Sequence, residues 1–180
     1  MKEQQTISLA ITYAVISILL ALFQVIFGAN MWLGFTFAML MFIAPIALAP
    51  IFAIKERRML GGYIRFGQVF RLGFLGLLGG GFIYSVFMWI YVDFIDTEYT
   101  EVLLRRTLES QKYFMEGRVP EEQMRETMAL TEENIRQGHT FEGLMKGLLY
   151  YSLYFLVLSL IFAAFLKKNP PEFQGEASES

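Results

Sequence analysis

Leu72–Val92 reads LGFLGLLGGGFIYSVFMWIYV, 21 consecutive positions without a charged side chain. A helix of about that length crosses the ~30 Å hydrocarbon core of a bilayer. The same signature recurs at Ile7–Phe27 (21 residues), Trp32–Ile54 (23) and Gly147–Leu166 (20). The 15 Lys or Arg and 17 Asp or Glu residues all fall between or beyond these blocks. Soluble helices need a wet face, so this segregation excludes a soluble globular domain. The runs are continuous rather than alternating over about 10 residues, which argues against a membrane β-barrel. Helices satisfy the backbone within lipid. With no cysteine in the chain, a disulfide scaffold, a Cys-ligated metal and a cysteine nucleophile are also excluded. The expected fold is all-α and polytopic, one domain over 1–168 with spans near 7–27, 32–54, 69–92 and 143–166. Asn169–Ser180, with Pro170, Pro171 and Gly175, reads as a flexible tail.

The first block is longer than the h-region of about 7–15 residues in a signal peptide, so it is expected to remain as a span. Near Gly28 and Ala29, Ile26 and Phe27 are too large for the residue a signal peptidase reads. Orientation follows the positive charges. The segments 1–6, 55–71 and 167–180 hold 8 Lys or Arg in 37 residues, and the opposite segments hold 7 in 58. Many of the former adjoin span ends, which places both termini in the cytoplasm and 93–146 outside. Trp32, Trp89, Tyr91, Tyr150 and Tyr151 then fall at the outer boundary. Lys55, Arg57, Arg58, Arg65 and Arg71 are expected to touch lipid headgroups on the inner side.

The outer loop has 12 acids and 7 bases and helical punctuation. Asp96 or Thr97 is expected to cap a helix running to about Glu116, with Gly117 closing it. Pro120 suits the first position of a second helix, Gly138 its end, and Thr140 the cap of the fourth span. Glu101–Arg105, Glu109–Lys112, Glu121–Arg125 and Glu132–Arg136 have ion-pair spacing. Leu104, Leu108 and Met115, then Met124, Met128 and Ile135, form two apolar stripes. The expectation is a two-helix hairpin over the bundle mouth within 93–142. Met124 and Met128 have the softness for Cu(I), but methionine at helical spacing reads as filler.

In the third span, Gly73, Gly76, Gly79 and Gly80 let neighbouring helices approach closely. Packing inside the bundle, a self-association face and a substrate groove all use such a stripe. It is no nucleotide loop, lacking the following Lys and Ser or Thr. Pro45 and Pro50 are expected to kink the second span. The four blocks hold no ionisable acid or base, only groups such as Thr12, Ser17, Gln24, Thr36, Ser85, Ser152 and Ser159. That disfavours a proton-coupled transporter. A single histidine, His139, forms no His-based zinc cluster, and as a general base it would need an orienting acid such as Glu142. Glu122 with Glu126, and Glu132 with Glu133, lack EF-hand spacing and read as wet faces. Arg65, Gln68 and Arg71 are the modest candidates for lipid chemistry. No catalytic, cofactor-binding or metal-binding residue is assigned, and no nucleic-acid surface is expected.

Ala53-Ile54-Lys55-Glu56-Arg57-Arg58, followed by Gly61-Gly62-Tyr63-Ile64-Arg65-Phe66-Gly67, completes a pattern. With the glycine-rich third span, the Asp93-Phe94-Ile95-Asp96 exit and the Lys167-Lys168 stop, it resembles a bacterial four-span family, domain of unknown function 4199. The resemblance implies a bacterial inner-membrane protein and supplies no substrate, catalytic residue or cofactor. The expected role is non-enzymatic, a self-assembling bundle or an accessory subunit of a membrane complex. The alternative is a conduit for a small molecule or ion.

Overall fold

A computed structural model describes residues 4–27 and 31–169. Lys2 and the tail beyond Asn169 lie outside the described residues, as does the side chain of Trp32. The chain forms α1 (Gln4–Phe27), α2 (Met31–Met59), α3 (Phe66–Ile90), a π-turn (Tyr91–Ile95), α4 (Tyr99–Met115), α5 (Glu121–Gly138) and α6 (Phe141–Leu166). Among the described residues, four apolar helical segments are long enough to cross a membrane: Gln4–Val25, Met39–Met59, Phe66–Ile95 and Phe141–Leu166. Helix α3 is central, packing most extensively on α1 and α6, while α2 leans on α1 and more sparsely on α3 and α6.

The glycines of α3 explain why it sits at the centre. A Cβ at Gly76 would stand 2.7 Å from Leu9 Cδ2, and one at Gly80 would stand 2.6 Å from the Ala10 carbonyl oxygen. A Cβ at Gly73 would meet Ser159 Oγ at 2.9 Å, and one at Gly81 would meet Leu148 at 3.0 Å. Gly79 differs, because its Cβ position has ordinary room, 3.5 Å from Ala10. One edge of the stripe therefore admits α1 and another admits α6. In lipid this close approach, rather than hydrophobic transfer, holds helices together. Leu9, Tyr13, Ala49, Leu72, Leu77 and Phe155 form the central core.

At one end, Gly61 and Gly62 close α2 with φ of 77° and 94°. The Gly62 amide donates to Arg57 O (2.8 Å) and the Gly61 amide to Arg58 O (3.3 Å), the two bonds of a Schellman cap. Left-handed φ disfavours any residue with a Cβ, so glycine belongs there. The chain then makes an isolated antiparallel bridge. Ile64 and Lys168 exchange amide bonds of 2.9 and 2.8 Å. Ile64, 1% exposed, packs among Ala53, Val69 and Ala163. The Gly-Gly-Tyr-Ile stretch thus staples the ends of α2, α3 and α6. Gln68 Oε1 accepts from the Arg65 amide (2.8 Å), closing the first turn of α3, so this side chain is committed to capping.

At the other end, α4 and α5 form the expected hairpin, with differences at both helix starts and in the ion pairs; Pro120 is the N-cap of α5 rather than its first residue. Helix α4 begins at Tyr99, after Glu98, rather than behind Asp96 or Thr97. The third span continues through a wide turn in which the Asp96 amide donates to Tyr91 O (2.8 Å), so Asp96 ends that span instead of starting the next helix. Glu121–Arg125 (3.4 Å) and Glu132–Arg136 (3.0 Å) form. Among the described residues Glu101 pairs with Arg136 across the hairpin rather than with Arg105, and Glu109–Lys112 does not form. Gln111 Nε2 adds a 2.9 Å bond to Thr131 Oγ1 between the two helices. Leu104 is buried on the hairpin's inner face. Thr140 Oγ1 caps α6 by accepting from the Gly143 amide at 3.0 Å. The α5–α6 corner is so tight that a Cβ on Gly143 would lie 1.9 Å from Gln137 O.

Helix α2 runs unbroken through Pro45 and Pro50. Pro45 offers no amide to the Met41 carbonyl. One residue on, the Tyr154 hydroxyl donates to Phe42 O at 2.7 Å, and the two rings stack at 4.7 Å. This bond ties α6 to α2.

Candidate functional site: adjoining cavities at the hairpin end

Two adjoining cavities lie among the helix ends. The outer one, about 580 Å³, lies between the ends of α1 and α3 and the hairpin. Gln24, Tyr84, Tyr99, Thr107, Thr131, Asn134 and His139 supply its polar lining, and Ala21, Met88, Leu103, Ile135 and Leu144 supply apolar walls. The inner one, about 320 Å³, descends between α3 and α6 past Ser85, Gly81, Gly147 and Tyr151, with Met41 of α2 beside it. Tyr84, Gly138 and Leu144 line both. Both volumes suit a small-molecule site. The inner chamber ends on Tyr13 and Phe155, whose rings meet edge to face at 5.7 Å, and below them lies the packed Leu9, Leu77 and Leu72 core. Tyr151 lines the chamber and is itself 56% exposed, so one wall of the chamber reaches the surface of the bundle.

Neither lining contains Asp, Glu, Lys or Arg. A third, smaller cavity of about 230 Å³ adjoins the outer one and shares Gln24, Tyr99 and Leu103 with it. It adds one acid and one base, Asp96 and Arg106. Asp96 Oδ2 accepts from the Tyr91 hydroxyl at 3.3 Å. Burial, then the neighbouring Tyr91 and Asp96, raises the Tyr99 phenol above its ordinary value, keeping it a neutral donor. Its ring meets His139 edge to face at 5.4 Å.

His139 is fixed by the Ile135 carbonyl, 2.8 Å from Nδ1. A carbonyl only accepts, so Nδ1 carries the proton, and in the neutral ring Nε2 is left as an acceptor. Glu142 bonds Lys146 at 2.7 Å instead, which leaves His139 without the orienting carboxylate that base catalysis was expected to need. Among the described residues, no three His, Cys, Asp or Glu side chains gather to hold a metal ion. Met128 borders a shallow groove with Leu104 and Leu108.

The glycines Gly73, Gly76 and Gly80 face helices of the same chain, and Gly79 lies beside them with space to spare. Lys55, Arg57, Arg58, Arg65 and Arg71 lie towards the stapled end, and among the described residues none joins an ion pair. Lys55 Nζ lies 5.9 Å from the Phe52 ring, and Lys168 Nζ lies 5.8 Å from Tyr63. His139, Gln24 and Ser85 stand out in the sequence one by one, but the cavities they line do not. Nor do Tyr84, Tyr99, Asn134 and Arg106 stand out as lining groups, since their helices meet only in three dimensions. The same holds for Glu56, just past the second charge-free block, which is only 8% exposed with Oε2 unpartnered, and for Gln5, whose Oε1 is likewise unpartnered.

A protein-family model, described as Protein of unknown function (DUF4199), matches residues 7–168. The chain belongs to this family. The matched region contains the Gly61-Gly62 staple, the α3 glycines, the hairpin and every residue lining the cavities, so the site is built wholly from the family domain. No curated protein and no solved structure matches the chain.

Proposed function

We propose that this chain is a non-catalytic, multi-pass protein of the bacterial inner membrane that holds a small amphiphilic molecule beneath its hairpin. Its termini face the cytoplasm and its hairpin the periplasm, in keeping with the basic residues gathered at the stapled end. The observation that carries the reading is the pair of adjoining chambers, the outer one bordered by more polar side chains, the inner one more apolar and more enclosed. A molecule with a hydrogen-bonding head and a hydrocarbon part matches both. The packed floor at Tyr13 and Phe155 favours holding a ligand over passing it through. Gly147 borders the inner chamber with open space at its Cβ position, so Gly147→Leu fills that chamber without a clash at Cβ. Native mass spectrometry of the full chain in mild detergent should show bound lysolipid in the parent and little in Gly147→Leu. Equal occupancy in both would remove the chamber as the site.

A second reading, an accessory subunit of a membrane complex, draws on the aromatic tip of the hairpin. Tyr113 is 79% exposed and Phe114 40%, a surface suited to a partner or to the membrane boundary. Affinity purification with Tyr113 and Phe114 replaced by Ser should lose a stoichiometric partner under that reading. Self-association through the glycine stripe has less support, because α1 and α6 occupy its tightest positions.

A further inference from the structure

The side cavity narrows the class of ligand. Asp96 and Arg106 border the same 230 Å³ space together with Gln24 and Tyr99. They form no ion pair with each other, and Arg106 has no hydrogen-bonding or ion-pair partner among the described residues. Both side chains are partly exposed and leave their charges free to engage a guest, so a ligand carrying both signs would pair with both groups. The guanidinium suits a phosphate, which it binds through paired donors. The Asp96 carboxylate, with one oxygen engaged by Tyr91 at 3.3 Å, retains acceptor capacity for an ammonium. The neutral outer chamber beside them offers hydroxyl and amide groups of Gln24, Tyr99 and Asn134, suited to glycerol or ester oxygens.

Resting on the amphiphile reading above, we propose that the bound molecule is a phospholipid with a zwitterionic phosphate–ammonium head. Arg106 takes the phosphate, Asp96 the ammonium, and the acyl part occupies the chamber bordered by Gly147 and Tyr151. The exposed wall at Tyr151 faces lipid in the spanning orientation, so the ligand reaches the site from the outer leaflet.

The test titrates four probes into the detergent-solubilised full chain, read by native mass spectrometry. Three share one acyl chain: lysophosphatidylethanolamine, lysophosphatidylglycerol and monoacylglycerol. The fourth is the chainless glycerophosphoethanolamine. The expected order places lysophosphatidylethanolamine first, at least about tenfold ahead of monoacylglycerol, as charge-assisted bonds of this kind imply. Arg106→Gln should remove that preference while monoacylglycerol binding stays unchanged, and Arg106→Lys should retain part of it. Asp96→Asn should raise lysophosphatidylglycerol to parity. Equal binding of the three single-chain probes, unaltered by Arg106→Gln, would overturn the zwitterion assignment and leave the amphiphile reading standing. Chainless glycerophosphoethanolamine binding as tightly as its lysolipid, or lysolipid binding indifferent to Gly147→Leu, would overturn the amphiphile reading itself.

Discussion

Gly79 and Gly80 are adjacent, both glycine and both on the same helix, yet alanine should act oppositely at them. At Gly80 the new Cβ would sit 2.6 Å from the Ala10 carbonyl oxygen and 2.8 Å from Tyr13 Cδ1. Ordinary contact begins at 3.4 Å, so α1 must retreat by about 0.8 Å, and its backbone cannot rotate aside as a side chain does. A gap of about 0.5–1 Å forfeits a quarter to a half of each dispersion contact along the seam, including Leu9 against Gly76. Overpacking of this kind destabilises by about 1–3 kcal/mol. At Gly79 the nearest atom is 3.5 Å away, so only the helix-propensity gain of about 0.5–1 kcal/mol remains. Both variants share that gain, so the difference between them isolates the close approach of α1. Reversible unfolding of each variant in mixed micelles, followed by helical circular dichroism, should place Gly80→Ala about 1–3 kcal/mol below Gly79→Ala. Gly76→Ala should fall between, since it meets the side chain of Leu9 rather than backbone. Equal shifts for the adjacent pair would refute the account of the α1–α3 seam.

Gly143→Ala should open the α5–α6 corner, because its Cβ would overlap Gln137 O at 1.9 Å. Faster proteolysis within 121–143 is the readout, and Thr140→Ala should give a milder loss of about 0.5–2 kcal/mol. Tyr154→Phe removes the hydroxyl bond to Phe42 O and should lower stability by about 0.6–1.7 kcal/mol in a bilayer-like medium. Tyr99 has a folded-state phenol raised above the ordinary 10.0. Its contribution is complete below about pH 10 and is lost as pH rises through the folded value. Melting temperature measured from pH 9 upward should therefore fall less steeply in Tyr99→Phe. A cysteine at position 122 in place of Glu122 should react with an impermeant thiol reagent in intact spheroplasts, and labelling only after lysis would reverse the proposed orientation.

The charge-free blocks alone determined four helices long and apolar enough to cross a membrane, because each block is as long as the hydrocarbon is thick and lipid would leave the backbone no other partner. Local chemistry likewise marked the hairpin: Gly117, Pro120 and Thr140 act through neighbours a few residues away, and they stand where helices stop and start. Tertiary structure decided what those signals leave open. The glycine stripe looks uniform along the chain, and only the positions of α1 and α6 separate Gly80 from Gly79. Gly61 and Gly62 read as a turn, but their staple needs Lys168, more than a hundred residues away. Arg136 has an acid one turn back in sequence and gains a second, Glu101, from the facing helix. The cavity is the furthest from sequence of all. Its walls come from α1, α3, α4, α5 and α6, and a pattern with a period of three or four residues says which face a helix buries, not which other helix meets it there.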